Sequence, residues 1–170
     1  GGTTAIARSS GIDAGSGLDE IDNRAAITTN ATTVAPTLSV AYTTGGVAAA
    51  ISTATGDAAA NAISGGDDAD RIDSTGDLDA SANAVAVAAN LALTGVGVAG
   101  GADATWDGGT RTIADARAIS GGNGADEITS GEFPIEPENP APTADEAVVP
   151  NMVTATANST TVATTAAITG

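Results

Sequence analysis

Asp19, Asp70 and Asp126 each close a glycine-rich turn and precede an isoleucine by two residues, and no other side chains in the chain are so placed for chemistry. The fullest copy is Gly121-Gly122-Asn123-Gly124-Ala125-Asp126-Glu127-Ile128-Thr129, which fits G-G-x-G-x-D-x-U-x, U being a large aliphatic, at every specified position. Residues 65–73, from Gly65-Gly66-Asp67-Asp68 to Asp70-Arg71-Ile72-Asp73, keep all but the third glycine. Residues 14–22, from Ala14-Gly15-Ser16-Gly17 to Asp19-Glu20-Ile21-Asp22, keep all but the first. Glycine allows the backbone angles of a tight turn that aims its carbonyls at one point, and the aspartate adds charge there. Oxygen donors without nitrogen or sulfur suit a hard cation. The aliphatic residue is expected to drop into a core as a short strand begins. The plain alternative is a set of Gly/Asp turns between strands.

Other chemistry is excluded by residue type. The 170 residues contain no histidine, cysteine or lysine, so Ser-His-Asp and Cys-His triads, ordinary zinc sites, Schiff bases and phosphate-loop lysines are all impossible. A carboxylate pair could in principle cut a glycoside, but sugar clefts need aromatic platforms, and Tyr42, Trp106 and Phe133 are the only aromatics. Catalysis is therefore not expected. Five basic against 21 acidic residues give a net charge of −16, which leaves no basic surface for nucleic acid and disfavours anionic membranes. No apolar run approaches the length of a membrane-spanning helix, so membrane insertion is not expected either. The chain begins at Gly1 without a signal peptide and reads as a processed product or an excerpt of a longer polypeptide.

The elements that position the three turns are repeats. Asp19 and Asp70 are 51 residues apart, and Asp70 and Asp126 are 56. Gly1 to Ile21 superimposes on Gly108 to Ile128, and Ile27 to Val47 on Leu78 to Val98 at an offset of 51. Ala155 to Gly170 matches Ala80 to Gly95 at an offset of 75, an excess of 19 over 56 that places an insertion after Ser130. One unit is a motif turn, a long segment, a Gly-rich turn, and a second segment leading to the next motif.

Within the first segment the pattern has period 2, the signature of a strand. One column reads Val34, Pro36, Leu38, Val40, Tyr42, then Val85, Val87, Ala89, Leu91, Leu93, then Thr160, Val162, Thr164, Ala166, Ile168. The alternate column is small: Thr33, Ala35, Thr37, Ser39, Ala41, then Ala84, Ala86, Ala88, Asn90, Ala92. Hydrophobicity puts the larger column in the core. The small column is then either solvated or packed closely against another chain, and glutamate at Ala86 and Ala88 is expected to stop assembly and spare the monomer. In the second segment Ala7, Ala58 and Ala114 share one face, with Ile12, Ile63 and Ile119 on the other. Pro36 belongs at a sheet edge or a bulge. An alanine-rich core is thin, which favours a layered or elongated body over a globule.

Residues 131–150, GEFPIEPENPAPTADEAVVP, hold five of the six prolines with four glutamates and one aspartate, and read as an extended solvated insertion or a partner-binding arm. The repeat body is thus 1–130 and 151–170.

The nine-residue motif resembles the RTX, or haemolysin-type, calcium-binding repeat, and the Ile-turn-Leu steps from Ile21 to Ile27 and Ile72 to Leu78 resemble corners of parallel β-helices in large bacterial surface proteins. Typical RTX motifs follow one another directly, whereas here one copy stands in each long unit. The resemblance implies bound Ca2+, with Asp19, Asp70 and Asp126 as side-chain ligands. It also implies turn carbonyls at Gly15, Gly17, Gly65, Gly66, Gly122 and Gly124, with Asp67 and Asn123 as second donors.

The expected fold is all-β, a parallel solenoid of long strands; the alternative is an antiparallel β-sandwich of repeated hairpins. The expected function, by resemblance, is that of a non-catalytic bacterial extracellular or cell-surface protein, a calcium-stabilised segment that joins head-to-tail with itself into a fibre or stalk. The alternatives are an adhesion module for a glycan or surface ligand and an ice-binding solenoid.

Overall fold

A computed structural model describes residues 1–103, 109–131 and 151–170; Trp106, Phe133 and nearly all of the 131–150 insertion lie outside them. The described residues are all-β. Ten strands run in the order β1 (Gly2–Asp13), β2 (Glu20–Asn23), β3 (Ile27–Thr43), β4 (Gly46–Asp67), β5 (Arg71–Ser74), β6 (Leu78–Thr94), β7 (Gly97–Asp103), β8 (Arg111–Asn123), β9 (Glu127–Ser130) and β10 (Val153–Thr169).

They form three sheets, and successive units place one strand in each. β4 lies between β1 on one side and β7 with β8 on the other; β6 lies between β3 and β10; β5 lies between β2 and β9. All of these pairs are parallel. The antiparallel hairpin alternative is therefore corrected: consecutive long strands sit in different sheets rather than pairing with each other. Register follows the repeat offsets, with Ile27 beside Leu78, Val153 beside Leu78 on the far side, and Ala58 between Ala7 and Ala114.

The two long sheets pack on each other through alanine. Ala31, Ala80, Ala82 and Ala84 meet Ala58 and Ala60; Ala35, Ala86 and Ala88 meet Ala54; Ala92 meets Ala48 and Ala50. Near the motif turns the short sheet joins them, and there the core is aliphatic, with Ile21, Ile72, Ala62, Ile63, Leu78 and Ala118 in one cluster. Ile21 and Ile72 thus enter the core as the sequence suggests. Ile128, on the outermost described winding, remains 47% exposed.

The large column faces outward, which overturns the expectation that it forms the core. Val34, Leu38, Val40 and Tyr42 are all exposed, Leu38 at 72%, while Ala35, Ala86 and Ala88 are fully buried. The long sheets close on each other through the small column instead, Ala35, Ala86 and Ala88 against Ala54 and Ala92 against Ala48 and Ala50, and this packing leaves the larger side chains outside. Glutamate at Ala86 and Ala88 would disrupt this fold itself, not merely an assembly.

The expected opposition of the Ala7/Ala58/Ala114 and Ile12/Ile63/Ile119 columns is also corrected. Ala58 and Ile63 are both buried. The ladder skips the pairs Gly11–Ala62 and Ala62–Ala118, and across that slip the alternation changes phase, turning Ile63 inward. Pro36 lies on β3, an edge strand, as its missing N–H requires.

Candidate functional site

Three motif turns stack beside the short sheet, linking the first long sheet to β2, β5 and β9. Their second glycines, Gly15, Gly66 and Gly122, have φ of 96°, 109° and 97°, and a Cβ on Gly66 or Gly122 would overlap the carbonyl of the glycine stacked beneath it. At the third glycine position Gly17 and Gly124 also have positive φ, and so does Asp68, at 81°. Asp68 is the sole non-glycine residue with positive φ among the described residues. The degenerate second motif therefore keeps the turn conformation, because short polar side chains tolerate that region better than others do.

Two of the three motif aspartates, Asp70 and Asp126, serve the neighbouring turn rather than their own. Asp70 accepts the backbone N–H of Asp19 through Oδ1 at 3.0 Å, and Asp126 accepts that of Asp70 at 3.0 Å. Their backbones continue the ladder, the carbonyl of Asp19 accepting from Arg71 N and that of Asp70 from Glu127 N. The second carboxylate oxygens differ. Asp19 Oδ2 and Asp70 Oδ2 are buried without a hydrogen-bond partner, and Asp70 as a whole is 3% exposed. Asp70 Oδ2 lies where a Cβ on Gly65 would be, and Asp126 Oδ2 where one on Gly121 would be, which gives the first glycine of the motif its purpose.

The remaining expected donors are placed as follows. Asp67 and Asn123 meet on the outside, Asn123 Nδ2 donating to Asp67 Oδ1 at 2.8 Å. The Gly15 carbonyl accepts from Asp67 N at 2.8 Å, and Gly17 N donates to the Asp67 carbonyl at 3.2 Å. Thus the fold brings the three aspartates into one column, pairs Asp67 with Asn123, and commits the Gly15 carbonyl to the ladder. Among the described residues, no group of three or more acidic side chains converges on a common point.

A second polar column at the next corner escaped the sequence reading. Asn23 Nδ2 donates to Ser74 Oγ at 3.1 Å and to the Ala25 carbonyl at 2.9 Å, and its Oδ1 accepts from Ala25 N at 3.2 Å. Asn151 reaches the same column, donating to the Ser74 carbonyl at 3.3 Å and to Ser130 Oγ at 3.4 Å. The signal was present: Asn23, Ser74 and Ser130 occupy equivalent positions in the three units, two residues after the motif isoleucine. Beside it, Arg24 donates to Asp22 through Nε and Nη2 at 3.2 and 2.8 Å, and that hydrogen bond holds the Asp22 carboxyl below its ordinary value.

No protein-family model matches the chain, and no curated protein or solved structure matches it either. The functional reading therefore rests on the geometry above.

Proposed function

We propose that this chain is a segment of a non-catalytic extracellular structural protein, a parallel β-solenoid that lengthens head-to-tail into a fibre or surface stalk. What supports the reading is the in-register parallel stacking through all three sheets, which leaves β3 and β10 with open edges. An open edge presents N–H and C=O groups at the spacing a further winding needs, and a head-to-tail contact need not close on itself. That winding would come from the same polypeptide or from another copy.

The two edges are unequal. Ile27 donates to the Asp77 carbonyl and Thr43 accepts from Gly95, so odd-numbered residues of β3 face β6, and Pro36 turns toward the open side. Its missing N–H leaves the sheet intact and removes one bond from any winding added there. On β10, Met152 and Gly170 bond toward β6, so odd-numbered residues face the open side, and none is proline. Growth is better supported from β10.

Calcium is the proposed stabiliser, with Asp19, Asp70 and Asp126 each offering one carboxylate to a separate ion, since no three acidic side chains converge among the described residues. The support is the pair of orphaned buried oxygens, Asp19 Oδ2 and Asp70 Oδ2, in a region whose donors are all oxygen. A cation supplies the charge that stacked carboxylates lack, and glycine carbonyls with water would complete its shell. The resemblance to RTX repeats points the same way. The adhesion alternative rests on Trp106 and the 131–150 insertion, nearly all of it outside the described residues, and the outward rows mix threonine with valine and leucine rather than forming threonine ranks for ice.

Melting of the 170-residue chain at moderate salt, with calcium and with excess chelator, tests the stabiliser. Electron microscopy of the same chain beside Ala163→Pro, which removes one open-edge donor of β10, tests the growth. The expected results are a lower melting temperature in chelator and filaments that Ala163→Pro suppresses. Melting indifferent to chelator removes the calcium role, and single particles at every concentration remove the fibre.

A further inference from the structure

Asn123 is the only asparagine in the chain that is followed by glycine. It sits in the third motif turn between Gly122 and Gly124, whose φ angles of 97° and 147° suit glycine and little else. Residues 122–125 are all exposed. Asn123 Nδ2 donates to Asp67 Oδ1 at 2.8 Å across the stack. The next backbone N–H, that of Gly124, has no acceptor among the described residues.

This places an accessible side-chain amide one residue before an unengaged peptide nitrogen. Glycine at that position matters twice. It leaves the backbone free to rotate, and it puts no side chain beside the nitrogen. We infer that Asn123 is a site of spontaneous deamidation. The Gly124 nitrogen attacks Asn123 Cγ and gives up its proton. The N–Cγ bond forms, the Cγ–Nδ2 bond breaks, and Nδ2 leaves as ammonia with that proton. Water then opens the resulting succinimide at either carbonyl, giving aspartate or, with the main chain rerouted through Cβ and Cγ, isoaspartate. Water is the sole co-reactant, so the step needs neither the fibre nor the cation proposed above.

Asp67 acts as a brake. Its carboxylate holds the amide nitrogen in place, and its negative charge opposes loss of the Gly124 proton. The product alters the same contact. Asp67 and residue 123 are paired in the ladder, so conversion sets two carboxylates opposite each other where an amide now donates to one. Like charges so placed are destabilising, and Asp67 Oδ1 loses its donor. Isoaspartate does more. It lengthens the main chain by one carbon and shifts Gly124 from its seat against the Asp68 carbonyl. The third glycine that completes the motif is thus what makes this turn labile. The first and second turns carry Ser16-Gly17 and Asp67-Asp68 at these positions, and neither has an amide to lose.

Ageing the full chain in warm, mildly alkaline heavy-oxygen water with excess chelator, followed by peptide mapping, tests the proposal. Asn30 and Asn158 are internal references, because both are exposed, lie within strands, and precede Ala31 and Ser159. Asn123 is expected to convert roughly tenfold faster than either, since only its neighbour lacks a side chain. Each product molecule should gain one heavy oxygen, and both aspartate and isoaspartate should appear. Asp67→Ala should convert faster still at Asn123 while Asn30 and Asn158 keep their wild-type rates, which an unfolded chain would not do. Asn123→Asp should melt below wild type at low salt, with the gap narrowing as salt rises. Equal rates at the three asparagines overturn the proposal, as does aspartate formed without isoaspartate. An Asp67→Ala rate at or below wild type removes the brake, and an Asn123→Asp melting point equal to wild type removes the consequence for the stack.

Discussion

Asp126 Oδ1 accepts the backbone N–H of Asp70 at 3.0 Å, across two stacked turns rather than within one. Asp70 does the same for Asp19, so each carboxylate ties its own winding to the one before it. Asp70→Ala strands the Asp19 N–H and is expected to cost about 1–3 kcal/mol. Asp70→Asn keeps an acceptor and removes a buried charge whose Oδ2 has no donor. In chelator it should be at least as stable as wild type, and with calcium it should lose any calcium-dependent gain. Urea denaturation of both variants, with and without calcium, measures this.

Gly65 is fixed by packing. A methyl group there would overlap both Asp70 Oδ2 and the Gly121 carbonyl. Gly65→Ala is expected to lose about 1–3 kcal/mol through overpacking, read as a lowered thermal midpoint. A midpoint unchanged from wild type would mean that Asp70 moves aside freely.

The inverted faces make an unusual mutational prediction. Ala86 is fully buried between the long sheets, whereas Val87 points outward beside it. Ala86→Leu, ordinarily a mild change, should cost about 1–3 kcal/mol. Val87 is half-buried on the outer face of a central strand, so Val87→Ala should cost less, about 0.5–1 kcal/mol. Denaturation midpoints of the two variants compare them directly, and the opposite order would restore the large column to the core.

The Asp22–Arg24 pair carries a pH signature. Its hydrogen bond lowers the Asp22 carboxyl in the folded chain, so the pair's contribution is present above the unfolded value and lost as pH falls through the lowered one. Wild type and Arg24→Ala should therefore differ in stability above about pH 4 and converge in stronger acid. NMR titration of Asp22 should show its midpoint rising in Arg24→Ala. Both groups are fully exposed, so the stability difference is small.

Much of the architecture was legible from the chain. The offsets of 51 and 56 are the registers of β1, β4 and β8, and the offset of 75 is that of β6 and β10, insertion included. A parallel sheet stacks equivalent residues of successive units side by side, so a repeat in sequence is already a statement of register. The motif glycines were legible for the same kind of reason. Positive φ strongly favours glycine, and the turn recurs even where Asp68 replaces it. The role of the aspartates was less legible. A G-x-D spacing shows that a carboxylate sits by a turn, but not whether it faces its own carbonyls or the N–H of the next winding.

What the sequence determined by itself is the strand period, the repeat register and the places where the backbone must turn, because these depend on local conformation and on equivalence between units. What only the tertiary structure decided is which face of each long strand is the interior. Periodicity of two shows that there are two faces, and hydrophobicity alone assigns Val, Leu and Tyr to the inside. The long sheets meet instead through Ala35, Ala54, Ala86 and Ala88, which pack across the gap between them. At that distance only a small side chain fits, so alanine forms the core and the larger residues face out.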